Sequence, residues 1–278
     1  MNVRKALRHG AAVVHASRDA CRDAALLLCR ALGKDRAWLI AHPEERLSVA
    51  QAWQYEQWLE RRAAHEPVQY ILGEQEFYGL RFVVSPAVLI PRPETEHLVE
   101  ALLDRLPRDR AVRIADVGTG SGAIAVVLAH ALELARVDAL DVLPSALQIA
   151  RGNAEAHGVL DRVRFFDSDL LSAVKGETYD CIVSNPPYVA STEQLEPQVA
   201  LWEPHEALFA GVDGLAIYRR LLPQALEQLR PGGLLALELG AGQSESLLEL
   251  FRQDQRWGEP EFVKDFQGIE RVALARKT

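Results

Sequence analysis

No stretch of this chain reaches the ~18 uninterrupted apolar residues that a membrane-spanning helix needs. The best candidate, Gly122 to Ala135, is broken by His130 and Glu133. Arg4, Arg8, His9 and Arg18 stand near the N-terminus, but no apolar core of a secretory signal follows them. No membrane partner is therefore expected, and a cytoplasmic location is. Cysteine is scarce. Cys21, Cys29 and Cys181 form an odd set with no C-x-x-C spacing, which points to reduced thiols used as small apolar residues. The eight histidines contain no H-x-x-x-H or H-E-x-x-H pair, so no metal site is expected. Positive charge is in deficit: Lys+Arg 31 against Asp+Glu 39 gives a net charge of −8. Binding to phosphate backbones runs on basic patches, so no direct nucleic-acid partner is expected. Internal repeats and low-complexity tracts are missing too.

What the chain does have is core material. Of 278 residues, 49% are hydrophobic and 25% charged. That is ordinary globular composition, enough for one large domain or two smaller ones. The N-terminal region reads as helical. Ser17 is placed to cap a helix from Arg18 to Leu32 that Gly33 stops, with Ala24, Leu27, Leu28 and Leu32 as its apolar stripe. A second long helix is predicted from Ser48 to Ala64, with Trp53 and Trp58 among its packing positions and Pro67 beyond its end. Glu76 to Val84 reads as two short strands around Gly79. Pro86, Pro91 and Pro93 then make a stiff connector. This divides the chain into a helical domain with a β-hairpin, residues 1–85, and a second domain, residues 86–278.

In the second domain strands and helices alternate. Strands are predicted at Val112–Val117, Val137–Leu140, Val163–Phe166, Cys181–Ser184 and Leu234–Leu239. Helices are predicted at Glu94–Leu106, Ala123–Leu134 and Ser145–His157, the last with Ser145 as its cap. Such alternation predicts an α/β fold with a parallel sheet covered on both faces. Phe262–Phe266 and Arg271–Ala275 look like a hairpin, so the sheet should end in an antiparallel strand.

Two motifs sit at the carboxyl ends of these strands. Asp116 is followed by Val117, Gly118, Thr119, Gly120, Ser121 and Gly122, where the first sheet strand meets its helix. Glycines close the turn and let a ligand approach the backbone, and the helix start presents free N–H groups. Asp141 closes the next strand and can accept from both hydroxyls of a ribose. An adenosine-containing ligand fits both. The loop also satisfies the dinucleotide fingerprint, but Asp116 beside it suits an ammonium group, as in S-adenosyl-L-methionine, better than a pyrophosphate.

The second motif is Asn185, Pro186, Pro187 and Tyr188, following Ser184. It is similar to the (Asn/Asp/Ser)-Pro-Pro-(Tyr/Phe) motif of methyltransferases that modify a planar nitrogen. Such an NH2 is a poor nucleophile because its lone pair is delocalised. The Asn185 side-chain oxygen and the Pro186 carbonyl can each accept one of its N–H groups. The prolines stiffen the loop and offer no competing N–H, and Tyr188 can stack on the planar group. Asn185 and Pro186 are the expected catalytic residues. DNA, RNA and protein-glutamine methyltransferases share this motif, and it alone does not separate them.

The wider sequence resembles the HemK/PrmC family of peptide chain release factor glutamine methyltransferases. The resemblance rests on His65-Glu66-Pro67-Val68-Gln69-Tyr70-Ile71-Leu72-Gly73, on Glu76 to Phe82, and on Val88 to Glu96. Glu203-Pro204, Gly211 to Leu215 and Gly268 to Val272 add to it, so it covers nearly the whole chain. Pro91-Arg92-Pro93-Glu94-Thr95-Glu96 favours the release-factor branch over the relatives that act on a ribosomal protein. The resemblance implies a Rossmann-like methyltransferase sheet with a small helical domain that docks the substrate. The implied substrate is the glutamine of the Gly-Gly-Gln motif in class I release factors. It also implies S-adenosyl-L-methionine over Gly118, Thr119, Gly120, Ser121 and Gly122, with S-adenosyl-L-homocysteine as product. Asp141 would hold the ribose, Asp169 and Leu170 would flank the adenine, and Asn185 to Tyr188 would hold the glutamine. Relatives can carry Trp where Leu170 stands. A monomer is expected. A nucleic-acid base or a ribosomal-protein glutamine remains the alternative substrate.

Overall fold

Five helices form the N-terminal region: Val3–Val13, Ala20–Leu32, Arg36–Ala41, Val49–Ala63 and Val68–Leu72. The computed structural model describes residues 1–278. It divides into two units, residues 1–74 with 195–202, and residues 75–194 with 203–278. In the first unit Val3, Leu27, Leu28, Leu39, Tyr55 and Leu59 share one buried cluster. Gly33 ends its helix in the left-handed conformation, φ +63°. Ser48 caps the next long helix through a reciprocal capping box with Gln51. Trp58 packs against the core, whereas Trp53 is 63% exposed, because Tyr55, Leu59 and Arg62 define that helix's buried face.

Ser17 does not cap the helix that follows it. That helix starts at Ala20, and the preceding Asp19 makes no side-chain cap bond. Ser17 instead donates to Asp23 Oδ2 at 2.6 Å and accepts from Arg62 Nη2 at 3.0 Å. Asp23 and Arg62 form a buried ion pair at 2.6 Å, and burying charge demands that its remaining groups be satisfied. Arg62 also donates to Gln198 Oε1 at 3.0 Å, and Trp202 Nε1 donates to the Ala64 carbonyl at 3.2 Å. These contacts join residues 195–202 to the helical unit.

The second unit begins with a hairpin, β1 (Glu74–Phe77) and β2 (Leu80–Val83). Phe77 and Phe82 are buried in this unit's core with Leu98, Val126 and Leu128. Asn153 bonds both backbone groups of Val83, at 2.8 and 3.0 Å. The hairpin therefore packs with the second unit, and the break falls at residue 74 rather than near 85. Five further strands follow: β3 (Arg113–Val117), β4 (Arg136–Asp141), β5 (Val163–Asp167), β6 (Tyr179–Ser184) and β7 (Leu229–Glu238). The hairpin β8 (Glu261–Lys264) and β9 (Glu270–Arg276) closes the chain. The sheet order is β5-β4-β3-β6-β7-β9-β8. The first five of these run parallel, and β9 is antiparallel to β7. The last strand of the chain thus inserts beside β7 and leaves β8 at the edge.

Helices cover the sheet. Ala123–Ala131 is apolar on every side and is buried from Ala123 through Ala129. A helix that is hydrophobic all round belongs inside, and this one packs against β4 and the helices Glu94–Leu103 and Pro144–Ala156. Pro144 opens the latter helix at its first position, and Ser145 makes no cap bond there.

Candidate active site

The strand order reverses between β3 and β6. From β3 the chain steps to β4 and β5, and it then returns to β6 and β7 on the other side. Open α/β sheets bind ligands at such a reversal, in the crevice beyond the carboxyl ends of the strands. A cavity of about 330 Å³ lies there, with Gly118, Gly120, Asp141, Leu170, Asn185 and Pro186 among its walls.

The three glycines of the loop act differently. Gly118 and Gly120 have φ of +72° and +55°, and a Cβ on either would meet nothing within 4 Å. They combine left-handed backbone with open space on the cavity side, where a ligand can lie against the main chain. A Cβ on Gly122 would lie 3.0 Å from the Ala150 side chain, so this glycine serves helix packing. Asp141 Oδ2 accepts the Gly120 N–H at 2.8 Å and Oδ1 accepts the Leu143 N–H at 2.9 Å. Burial raises its pKa, against the hydrogen bonds of Leu143, Gly120 and Val142. Asp116 lies beneath the loop, fully buried, and is not a cavity wall. Its Oδ2 accepts from the Thr119 hydroxyl at 2.6 Å and from the Ala125 N–H at 3.1 Å, while Oδ1 has no partner. Burial pushes this carboxyl up to about 7, with Thr119 and Ala125 opposing.

Asp169 and Leu170 line the cavity, with Leu170 held in left-handed backbone at φ +52°. The Ser168 hydroxyl donates to the Leu170 carbonyl at 2.7 Å and fixes that turn. Asp169 neither caps the turn nor stands free, because it pairs with Arg220 at 2.5 Å on the surface.

Asn185, Pro186 and Pro187 enter the cavity from the end of β6. Ser184 anchors the turn by donating to the Val117 carbonyl at 2.6 Å, which ties it to the glycine-loop strand. Asn185 Nδ2 donates to Thr95 Oγ1 at 3.1 Å, which leaves Oδ1 as the acceptor of that amide. Tyr188 is not a cavity wall. Its hydroxyl donates to Glu238 Oε1 at 3.2 Å, and Gln243 Nε2 holds its carbonyl at 3.0 Å. Gly214 permits this close approach, since a Cβ there would lie 2.3 Å from the Tyr188 carbonyl.

The structure therefore brings Gly118, Gly120, Asp141, Asp169, Leu170, Asn185, Pro186 and Pro187 together around one cavity. Asp116, Thr119, Ser121, Gly122 and Tyr188 support it from behind. Ser121, for example, is buried and its carbonyl accepts from Asn153 at 2.8 Å. The sequence reading missed Thr95 and Glu238. Both had a signal: Thr95 stands within the Pro91–Glu96 run, and Glu238 is the lone acid in the apolar strand Leu234–Leu239. Two charged residues of that run also have partners. Arg92 pairs with Glu203 at 2.5 Å, and Glu96 accepts the Tyr78 N–H at 2.8 Å.

Two family models match the chain, the PrmC N-terminal domain over residues 5–73 and the methyltransferase small domain over residues 93–202. A release factor glutamine methyltransferase of Koribacter versatilis is 47% identical over 258 residues, covering 92% of this chain and 90% of that protein. The chain belongs to the release factor glutamine methyltransferase family. A second member of that family, from Moorella thermoacetica, is 46% identical and covers 91% of this chain and 90% of its own. In the present chain the N-terminal domain match ends at residue 73, beside the unit boundary at residue 74. A solved methyltransferase from Pyrococcus furiosus shares the fold, with a TM-score of 0.53, 22% identity, and coverage of 72% of this chain and 90% of that one. The sheet is that of a Rossmann-like methyltransferase, and the chain is a methyltransferase by family.

Proposed function

We propose that this chain methylates the side-chain amide nitrogen of the glutamine in the Gly-Gly-Gln motif of class I peptide chain release factors. S-adenosyl-L-methionine is the methyl donor. The observation that carries the reading is the meeting of two motifs on one cavity, the glycine loop after β3 and Asn185-Pro186-Pro187 after the neighbouring strand β6. Family membership supplies the substrate class.

The residues fit the donor. Gly118 and Gly120 offer an open main-chain floor, and Asp141 faces the cavity with a carboxylate suited to ribose hydroxyls. Leu170 offers an apolar face for a planar base, and the surface pair of Asp169 with Arg220 rims the same side. Asp116 holds the loop's shape through Thr119 and Ala125. When bound, S-adenosyl-L-methionine supplies an electrophilic methyl group.

The chain's own contribution is positioning. A glutamine amide holds its lone pair in the carbonyl π-system, so the nitrogen must be fixed and enriched in electron density. Asn185 Oδ1 and the Pro186 carbonyl accept its two N–H groups. The prolines keep that acceptor pair rigid and present no N–H of their own. As the N–C bond forms, the methyl's bond to the donor sulfur breaks and its electron pair stays on that sulfur. The nitrogen, acidified by the new bond, then gives one proton to water, so no strong base is needed. Holding two reactants in line can lower a barrier by roughly 7–11 kcal/mol. Tyr188 acts from behind, through Glu238, rather than by stacking on the amide.

The test is methyl transfer from labelled S-adenosyl-L-methionine to a purified class I release factor. Parallel samples hold the factor with its Gly-Gly-Gln glutamine changed to alanine, a large-subunit ribosomal protein, and duplex DNA. Label on the intact factor alone supports the reading. Label on DNA or the ribosomal protein, with none on the factor, overturns the substrate and leaves the planar-nitrogen chemistry.

A further inference from the structure

Behind Asn185 lies a buried polar chain that the proposed reaction does not use directly. Thr95, on the helix Glu94–Leu103, is buried and accepts from Asn185 Nδ2 at 3.1 Å. Glu238, near the end of β7, is buried and accepts from the Tyr188 hydroxyl at 3.2 Å through Oε1. No group meets its Oε2 in good hydrogen-bond geometry, and the rotatable Thr95 hydroxyl lies where it acts on this carboxyl as a hydrogen-bond donor. A buried carboxylate in a strand costs stability unless it has a task or a partner, and this one has an incomplete set of partners.

The chemistry of the three groups fixes a direction. An ionised carboxylate only accepts. The single O–H of Thr95 is then directed at Glu238, and its oxygen can only accept from Asn185. Asn185 must turn its NH2 to Thr95 and its Oδ1 to the cavity. If Glu238 is protonated, the Thr95 hydroxyl is released to donate to Asn185. The amide can then turn over and set an NH2 against the substrate's NH2, donor against donor.

We infer that Thr95 and Glu238 are positioning residues that set the orientation of the Asn185 amide, so that its oxygen rather than its nitrogen faces the planar NH2 to be methylated. This deepens the proposed function and rests on it for the identity of the substrate. The groups facing Glu238 are consistent with a switchable charge. Burial pushes its carboxyl up to about 7, opposed by the Thr95 and Tyr188 hydroxyls and by Arg271, with Glu94 adding to the rise. The Tyr218 hydroxyl, on the helix Ala216–Gln228, bonds the Glu238 carbonyl at 2.8 Å and leaves the carboxyl alone.

The experiment compares full-length Thr95→Val, Thr95→Ser and Glu238→Gln with the wild type. Valine keeps the shape of threonine without its hydroxyl, and serine keeps the hydroxyl. With a class I release factor as substrate, Thr95→Val should lower kcat on the order of tenfold, about the worth of one hydrogen bond, while cofactor affinity holds. Thr95→Ser should restore most of the rate. The wild-type rate should fall on the acid side of about 7, and Glu238→Gln should flatten that limb. The limb's dependence on Glu238 separates it from Asp116, which is raised to a similar value. A wild-type rate in Thr95→Val, or equal losses in Thr95→Val and Thr95→Ser, overturns the inference. A second readout needs no protein substrate. The side-chain 15N signal of Asn185 should titrate near 7 in the wild type and not in Glu238→Gln. A signal that titrates equally in both, or in neither, overturns the inference even if the substrate proves to be something else. A wild type that labels no release factor while Asn185 titrates as expected contradicts the proposed function and leaves the positioning role standing.

Discussion

Asn185 donates an amide N–H to Thr95, and its oxygen is the acceptor the site offers to a substrate nitrogen. Asn185→Ala removes that acceptor and leaves the glycine loop untouched. The single-turnover rate should fall on the order of a hundredfold, as when one oriented hydrogen-bonding group is removed from an active site. Cofactor affinity, measured by calorimetry, should change severalfold at most, and equal losses in both would contradict the assignment. Asp116 makes a different kind of prediction. Its carboxyl is raised from 3.8 to about 7 by burial, so the folded chain holds the proton more tightly than the unfolded one. The cost of ionising it is absent below its unfolded value near 4, grows as pH rises, and is complete above about 7. Asn at this position keeps an oxygen for Thr119 and Ala125 and carries no charge. Asp116→Asn should therefore gain thermal stability over the wild type as pH rises from 5 to 8, and a pH-independent difference would refute this. The acidic and glycine positions of the loop were legible in the sequence because their chemistry is local. That Asp116 points under the loop was not, since its partners depend on how the helix at Ala123 docks.

At the scale of the element, glycines in helices give a paired test. A Cβ on Gly10, in the helix Val3–Val13, would lie 2.0 Å from the buried Tyr55 hydroxyl and 3.0 Å from the Ala24 Cβ. Gly10→Ala should lower stability by about 1–3 kcal/mol, because overpacking outweighs the better helix propensity of alanine. A Cβ on Gly152, in the helix Pro144–Ala156, meets nothing within 4 Å. Gly152→Ala should raise stability by about 0.5–1 kcal/mol. Denaturant melts of both proteins would settle the matter, and shifts of the same sign would contradict the packing described. A helix stop was readable where its chemistry is local, as with Gly33. Ser17 was misread because Asp23 and Arg62 engage it, and Arg62 lies on another helix.

For the whole molecule, alternation of strand and helix was enough to read the parallel sheet, and the closing hairpin was enough to read its antiparallel last strand. The position of the break was not legible. Three prolines after residue 85 look like a connector, but Phe77 and Phe82 bury the hairpin in the sheet unit's core. The return of residues 195–202 to the helical unit depends on Gln198 and Trp202, whose partners are far away in sequence. The net charge of −8 also acts at this scale. Mixing with duplex DNA should give no salt-sensitive complex, and a steep loss of binding with added salt would reveal a basic groove instead.

The central claim is that the cavity at the β3–β6 reversal methylates a glutamine side-chain nitrogen in a release factor. Tandem mass spectrometry of a class I release factor, after incubation with this protein and S-adenosyl-L-methionine, tests it most directly. The account predicts one added methyl on the side-chain amide of the Gly-Gly-Gln glutamine, formed by the wild type and strongly reduced with Asn185→Ala. A methyl on any other residue, or on that glutamine at the same rate with Asn185→Ala, would contradict it.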